Sequence, residues 1–185
     1  MALKYQQAAT VLRHGGVICY PTEAVWGIGC DPKNTAALKR LLHLKQRDPD
    51  KGLILIAANM EQLSPYLEGL TEAQLRALRQ SWPGPKTWVI PHNGFAHPLI
   101  RGRFESLAVR VSAHKPVIKL CAAFGGPIVS TSANISGREP PNWPWQLRHQ
   151  FGNRLDFLLH GALGGQAKPS EIRDLISGKV LRPSE

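Results

Sequence analysis

The sequence lacks the long apolar runs and the clustered cysteines that would assign it to several large protein classes. Nowhere do about 18 apolar residues follow one another, and residues 1–16 contain no apolar core of a secretory signal. The three cysteines, Cys19, Cys30 and Cys121, lie too far apart in sequence for a zinc pair. We therefore expect a cytoplasmic protein with reduced, buried thiols.

Three common catalytic signatures are also missing. No glycine-rich loop ends in Gly-Lys-Ser or Gly-Lys-Thr, so any ATP must be held without a P-loop. The seven histidines are dispersed without H-E-x-x-H spacing, and no G-x-S-x-G elbow occurs. A catalytic metal held by the protein and serine-based acyl chemistry are therefore not expected.

What the chain does have is an apolar core and an excess of positive charge. Its 185 residues are 43% hydrophobic, enough for one substantial core, and we expect a single domain over residues 1–185. Lys and Arg number 23 against 13 Asp and Glu, a formal charge of +10. This balance favours a polyanionic partner such as a nucleotide or RNA, although a basic surface also serves solubility alone.

Hydrophobic periodicity predicts alternating helices and strands. Helices are expected over residues 4–14, over 35–44 with Asn34 as the cap, after Thr71, and around the apolar sets at 117–124 and 147–151. Strands are expected at residues 17–20, 53–57, 87–90, 107–111, 128–131, 157–159, 171–174 and 180–182. The pattern predicts an α/β fold with a mixed, twisted, open sheet and flanking helices.

Residues 20–29 are the first of three stretches whose residue types suggest chemistry. They read YPTEAVWGIG, and we expect a strand end that runs into a turn rich in proline and glycine. Strand ends in open α/β sheets bind ligands, and Gly27 and Gly29 permit close backbone approach. The stretch is not a G-x-G-x-x-G fingerprint, and a tight structural turn explains it equally well.

The second stretch places three cations, Lys45, Arg47 and Lys51, within seven residues. Their mutual repulsion is unfavourable unless a bound anion or the local acids Asp48 and Asp50 compensate it. Because the cluster falls between a helix end and a core strand, a triphosphate clamp is one interpretation. A solvated loop neutralised by its own acids is the other.

The third stretch, residues 129–137, reads VSTSANISG and carries hydroxyl groups out of an apolar strand. Buried hydroxyls need hydrogen-bond partners, which a bound phosphate or sugar would supply. A helix cap or a turn would supply partners as well, so the residue types alone leave both interpretations open.

Taken together, these stretches resemble the YrdC family of threonylcarbamoyl-AMP synthases, in its short bacterial form. Six landmarks occur in the family order: YPTEAVWGIG at 20–29, LKQR at 44–47, KGLILIA at 51–57, WPGPKT at 82–87, LAVRV at 107–111 and STSANISG at 130–137. The resemblance covers nearly the whole chain. It implies a twisted-sheet α/β fold with one wide, basic cavity that holds both substrates.

The resemblance also implies a reaction and its participants. Bicarbonate carboxylates the amine of L-threonine, and the product attacks the α-phosphate of ATP, which releases pyrophosphate and leaves threonylcarbamoyl-AMP. A separate transferase complex of TsaB, TsaD and TsaE then modifies the adenosine beside the anticodon of ANN-decoding tRNAs. Mg²⁺ is expected to arrive with the phosphates, and direct contact with tRNA is a further expectation.

Family positions can be carried over residue by residue. The K-x-R and S-x-N elements, expected to grip ATP and serve catalysis, fall on Lys45, Arg47, Ser132 and Asn134. Further nucleotide contacts are implied at Lys51, Ser106 and Arg182. Threonine contacts are implied at Thr22, Arg110, Ser130 and Ser170. For Arg110, which lies in an apolar strand, a structural ion pair with Glu23 or Glu105 is the alternative to a substrate carboxylate.

Two positions depart from the family pattern. Asp48 stands where many members have proline, which adds a negative charge near the implied phosphate site. Ile56 stands where longer relatives often carry a histidine that contacts threonine.

Two rival functions remain open at the level of sequence. A non-catalytic RNA-binding or ribosome-maturation factor would account for the net charge, and it would not need residues 45, 47, 132 and 134 to converge. The related domain of hydrogenase-maturation carbamoyltransferases is the second rival, but those proteins are long and carry zinc-finger cysteine pairs.

Overall fold

A nine-stranded mixed sheet forms the frame of the computed structural model, which describes residues 2–166 and 170–183. The strands are β1 Ile18–Pro21, β2 Trp26–Gly29, β3 Ile54–Ala57, β4 Lys86–Pro91, β5 Ser106–Val111, β6 Ile128–Ser132, β7 Phe157–Leu158, β8 Glu171–Asp174 and β9 Val180–Arg182. They pair in the order β7-β1-β2-β6-β3-β5-β4-β8-β9, with both parallel and antiparallel neighbours. The predicted mixed α/β sheet is therefore confirmed.

Seven α-helices accompany the sheet in the described part of the chain. They are α1 Leu3–Arg13, α2 Thr35–Lys45, α3 Ser64–Leu67, α4 Glu72–Ser81, α5 Pro98–Arg101, α6 Lys115–Phe124 and α7 Pro144–Phe151. The two four-residue helices, α3 and α5, were not predicted because one turn is too short to show a periodic pattern. Within residues 2–166 and 170–183, no helix has the length and apolar content needed to cross a membrane.

The sequence interpretation of residues 20–29 was wrong in its second half. Residues predicted as a turn form β2, which pairs with β1 as a hairpin and with β6 on its other side. Glycine inside a strand weakens it, so Gly27 and Gly29 made residues 26–29 resemble a turn in the sequence. Gly29 is required there, because a Cβ atom at this position would lie 1.9 Å from the carbonyl oxygen of Val129.

Helix α2 shows how local sequence places part of the future site. The Asn34 side chain accepts a hydrogen bond from the Ala37 amide at 3.0 Å, as the predicted cap requires. Leu38 and Leu41 are fully buried, and the helix ends when Gln46 adopts a left-handed conformation with φ of 48°. The helix therefore ends with Lys45 beside β6, where its amine contacts the Ser132 carbonyl, and Arg47 follows two residues later.

Replacing the cap tests this account of α2. Asn34→Ala should lower the free energy of unfolding by about 1 kcal/mol, because an amide at the helix start loses its side-chain acceptor. Asn34→Asp is the matched control, since it keeps an acceptor oxygen and adds a favourable charge at the helix N-terminus. Urea unfolding measures both. Equal stability of the alanine variant and the parent would contradict the capping role.

Different elements pack on the two faces of the sheet. One face packs against the main apolar core, to which Leu55, Val109 and Val129 contribute from adjacent strands. On the opposite face, α1 and α6 pack over a second cluster that includes Ile56 and Ile128. Helices α1 and α6 leave part of this face uncovered, and the candidate site lies there.

Candidate functional site

A cavity of about 590 Å³ lies over the open face of the sheet. Side chains at alternate positions of three neighbouring strands line it, and they are Ile54 and Ile56 of β3, Ser106, Ala108 and Arg110 of β5, and Ser130 and Ser132 of β6. Intervening residues such as Leu55, Leu107 and Val109 point into the main core, as the two-residue period of a strand requires. The cavity therefore occupies a sheet face, and it is not confined to the strand end at residues 20–29 where ligand binding was one interpretation of the sequence.

The cavity is strongly cationic. Among the described residues, one acidic side chain, Glu23, lines it against five cations, which are Arg47, Lys51, Arg101, Arg110 and Arg182. Because low-dielectric walls strengthen the field of such groups, the cavity favours anionic ligands. Its volume falls within the usual range for small-molecule sites, roughly 300–1,000 Å³.

Arg47 lies at one end of the cavity and shapes the loop around it. Its Nε and Nη2 atoms donate to the carbonyl oxygen of Gly52 at 3.1 and 2.9 Å. Gly52 has φ of 62°, and a Cβ there would lie 2.9 Å from the carbonyl oxygen of Arg101. Burial lowers the pKa of Arg47, and the charge of Asp48 opposes that effect. The loop thus presents Arg47 and the exposed Lys51 to the same space.

Arg110 lies in a buried ion pair elsewhere along the cavity wall. Its Nη2 atom donates to Glu23 Oε2 at 2.9 Å, and the other carboxylate oxygen accepts from Ser112 Oγ at 2.6 Å. Arg110 and Glu23 are only 8% and 6% exposed. The Arg110 Nε atom is buried without a hydrogen-bond partner. The guanidinium is therefore held by one acid and retains unused donor capacity beside the cavity.

Small hydroxyl residues complete the wall around Arg110. Thr22 Oγ1 donates to the Val25 carbonyl at 2.6 Å, and Ser170 Oγ lies 3.0 Å from Thr87 Oγ1. Arg182 Nη2 donates to the carbonyl of Ser170 at 2.8 Å, which joins β9 to this region. These contacts fix the hydroxyl residues at positions where they also line the cavity.

Two residues of the implied set do not line the cavity. Lys45 is 2% exposed, and its amine donates to the carbonyl oxygens of Ser132 and Asn134, the second at 2.7 Å. The Asn134 amide donates to the carbonyls of Ile135 and Arg138 at 3.1 and 2.5 Å. The Lys45 amine and the Asn134 amide nitrogen are thus engaged by backbone carbonyls, while Asn134 Oδ1 is buried without a hydrogen-bond partner. The expected grip of ATP by these two residues stays a prediction.

Comparisons with known proteins identify the family of this chain. The Sua5/YciO/YrdC family model, described as "Telomere recombination", matches residues 10–184. The threonylcarbamoyl-AMP synthase of Chromohalobacter salexigens is 59% identical over 175 residues, which is 95% of this chain and 94% of that protein. The chain belongs to the Sua5/YciO/YrdC family.

Solved structures of family members share the fold. Escherichia coli YciO superposes with a TM-score of 0.85 at 25% identity, over 96% of this chain and 87% of that one. Pyrococcus abyssi Sua5 in complex with L-threonine superposes with a TM-score of 0.89 at 31% identity, over 97% of this chain. This chain spans about half of the archaeal protein, 53% of its length.

With the family established, the implied site residues can be compared with the structure. Nine of the eleven line this cavity: Thr22, Arg47, Lys51, Ser106, Arg110, Ser130, Ser132, Ser170 and Arg182. They come from loops and strands far apart in sequence, so the fold brings them together. Whether each contacts a substrate stays a prediction.

The two departures from the family pattern also have defined positions. Asp48 does not line the cavity, and its side chain accepts from the Asp50 amide at 3.0 Å, where it caps the short 3₁₀ turn Pro49–Lys51. The carboxylate is therefore occupied locally. Ile56 is fully buried and lines the cavity, so this family member presents an apolar surface there.

Sequence reasoning missed three cavity residues that matter for its electrostatics and shape. Glu23 was considered only as an ion-pair partner, while Arg101 and Phe104 were not singled out. No sequence pattern marked these three residues as cavity residues. A signal for the cavity face itself was the strand at 106–111, in which Ser, Ala and Arg alternate with large apolar residues. That alternation indicates a strand with one polar face, which is unusual for a sheet interior.

Proposed function

We propose that this protein is a threonylcarbamoyl-AMP synthase that binds L-threonine and ATP at two ends of one cavity. The observation that carries the proposal is the continuity of the cavity from the Glu23–Arg110 pair to the Arg47–Lys51 loop, with Ser130 and Ser132 between them. A carboxylate binder and a phosphate binder thus share one wall, as a reaction between an amino acid and ATP requires.

The Arg110 end suits the amino acid. The Arg110 guanidinium pairs with Glu23 and still has a buried Nε donor without a partner, and we propose the threonine carboxylate as a second anion beside it. Thr22, Ser130 and Ser170 supply hydroxyls around the same position. The archaeal Sua5 structure is a complex with L-threonine, and this similarity supports the choice of ligand.

The Arg47 end suits the triphosphate. Arg47 and Lys51 offer positive charge from one loop, and Ser132 faces them from β6. Ser106 and Arg182 line the same cavity and are proposed as further nucleotide contacts. As pyrophosphate leaves, negative charge builds on the bridging oxygen, and fixed cations beside that oxygen stabilise the charge.

The chemistry then needs positioning more than an acid–base residue. The neutral amine of threonine attacks the carbon of bicarbonate and water leaves, which gives a carbamate. A carbamate oxygen attacks the α-phosphorus of ATP, the bond from that phosphorus to the bridging oxygen breaks, and pyrophosphate carries away the electron pair. Holding both reactants against one wall supplies the proximity that these steps require.

Mg²⁺ would enter this site with ATP. Within the described residues, no group of three His, Cys, Asp or Glu side chains could hold a metal ion. The cavity carboxylate, Glu23, is already engaged by Arg110 and Ser112. The donor set therefore fits a cation that is coordinated mainly by phosphate oxygens and water, which is how proteins commonly use Mg²⁺.

The product points to tRNA modification as the cellular role. We propose that threonylcarbamoyl-AMP passes to a threonylcarbamoyl transferase complex of the TsaB, TsaD and TsaE type, which acts on the adenosine beside the anticodon. The charge of +10 also suits direct contact with tRNA. A cytoplasmic location is proposed on the same grounds.

Pyrophosphate release tests the proposed function. We expect release from ATP and bicarbonate to depend on added threonine, because the nucleophile is made from threonine. Omitting bicarbonate in degassed buffer should abolish it as well. Absence of threonine-dependent release, together with tight and salt-sensitive tRNA binding, would instead support the RNA-binding rival.

A further inference from the structure

Lys45 directs its side chain to the turn that follows β6. Its amine donates to the carbonyl oxygens of Ser132 and Asn134, while its own carbonyl accepts from the Ser136 amide at 2.8 Å. The Lys45 side chain thus binds residues 132 and 134 of the turn, and the Lys45 main chain binds residue 136. This turn carries Ser132, which lines the cavity, on its inner side.

The amine has no carboxylate partner within the part of the chain that the structure describes. Backbone carbonyls satisfy it, and it lies near the Arg47 guanidinium and the Cys19 thiol. Burial and the charge of Arg47 lower the pKa of Lys45 to about 8. A neutral amine would still donate to both carbonyls, so the clamp does not depend on the charge.

A direct contact with phosphate would disrupt this arrangement. Because Lys45 does not line the cavity, its amine would have to turn away from the carbonyl oxygens of Ser132 and Asn134 to reach a phosphate there, and each part-buried group left without a donor is unfavourable by roughly 1–3 kcal/mol. Arg47 and Lys51 already face the cavity from the same segment. The positive charge near the phosphates can therefore come from those two residues.

We propose that Lys45 is a positioning residue that holds the turn at Ser132–Ser136, so that Ser132 and Arg47 face the ATP phosphates together. The proposal rests on the proposed function, because it assigns ATP to the Arg47 end. In this role Lys45 affects ATP binding through the turn and does not contact a substrate. Asn134, whose amide closes the turn onto Ile135 and Arg138, acts in the same unit.

The role predicts an effect on one substrate and not on the other. The threonine end is built from other elements, and Ser130 lies within β6 paired with Ile54 of β3, before the turn begins. Loss of the clamp should therefore weaken ATP binding and leave threonine binding nearly unchanged. A residue that only stabilised the whole fold would affect both alike.

Two variants and two readouts test the proposal. Lys45→Met removes the donor and the charge with little change in length, whereas Lys45→Gln removes the charge and keeps two amide donors. Calorimetry gives the dissociation constants for ATP and threonine. For the methionine variant we expect ATP affinity to fall at least about tenfold and threonine affinity to stay within about threefold, with the glutamine variant between it and the parent. Hydrogen exchange at the Ala133 and Ser136 amides should accelerate in the same order.

The outcomes separate the two claims. Parental ATP affinity in Lys45→Met would overturn the positioning role. Equal losses in both variants with unchanged turn exchange would overturn it too, because they would show that the charge itself acts on the phosphates. If the parent binds no ATP, the proposed function fails, while the exchange data still report whether Lys45 holds the turn. If the methionine variant does not fold, the glutamine variant and its exchange rates decide.

Discussion

Arg47→Ala is expected to lower threonine-dependent pyrophosphate release by about 100-fold or more, because it removes a fixed cation from the point where charge develops on the leaving pyrophosphate. The guanidinium already uses Nε and Nη2 on the Gly52 carbonyl, so its orientation is set before ATP arrives. Initial rates at saturating threonine and varied ATP measure the effect as kcat/KM for ATP.

Two comparisons make this result specific. Arg47→Lys keeps the charge but loses the two-donor contact with Gly52, so we expect an intermediate loss. Arg103→Ala removes an exposed arginine of the neighbouring loop that does not line the cavity, and its rate should stay within about threefold of the parent. Equal rates for Arg103→Ala and Arg47→Ala would show that general charge, and not a phosphate clamp, governs ATP use.

Arg110→Met should impair the protein in two separable ways. The variant leaves Glu23 buried without its cation, which should lower the free energy of unfolding by about 3–5 kcal/mol. It should also raise KM for threonine by about 100-fold, because the amino-acid carboxylate loses its partner. Urea unfolding measures the first effect and steady-state kinetics the second.

A double variant distinguishes substrate binding from structural support. Arg110→Met combined with Glu23→Gln removes both buried charges, so most of the lost stability should return. Threonine use should not return, since no cation faces the substrate carboxylate. A double variant that is stable and retains the parental KM for threonine would show that the ion pair is purely structural, which was the alternative interpretation of Arg110.

Much of the fold follows from local sequence signals. The cap at Asn34 and the apolar stripe of α2 predict that helix to within a residue at either end. The continuous apolar run before Ala57 predicts β3, and the Thr71 capping box marks the start of α4. Each of these elements can be predicted from its own residues, without knowledge of its neighbours in the fold. Such local signals do not predict the order in which the strands pair. They do not predict β2 either, because its two glycines are explained only by close contact with neighbouring strands.

The sequence was sufficient to predict most residues of the candidate site, but not their arrangement in space. Family landmarks identified nine residues that the fold brings into one cavity. The same landmarks could not distinguish Arg47, which faces the cavity, from Lys45, which lies behind its wall, because both are cations two residues apart. The left-handed conformation of Gln46 at the helix end separates their directions. Tertiary contacts, not composition, decide which cation faces the cavity.

The most direct test of a shared cavity for threonine and ATP follows the carbon of bicarbonate. Incubation with carbon-14 bicarbonate, threonine and ATP, followed by rapid chromatography, should place the label in a threonine-containing adenylate, with one label for each pyrophosphate released. The rate of labelling should fall by about 100-fold in Arg47→Ala, and by a similar factor in Arg110→Met at threonine concentrations below the parental KM. Pyrophosphate release without labelled adenylate would contradict the account, because it would mean that the cavity hydrolyses ATP and does not join it to threonine.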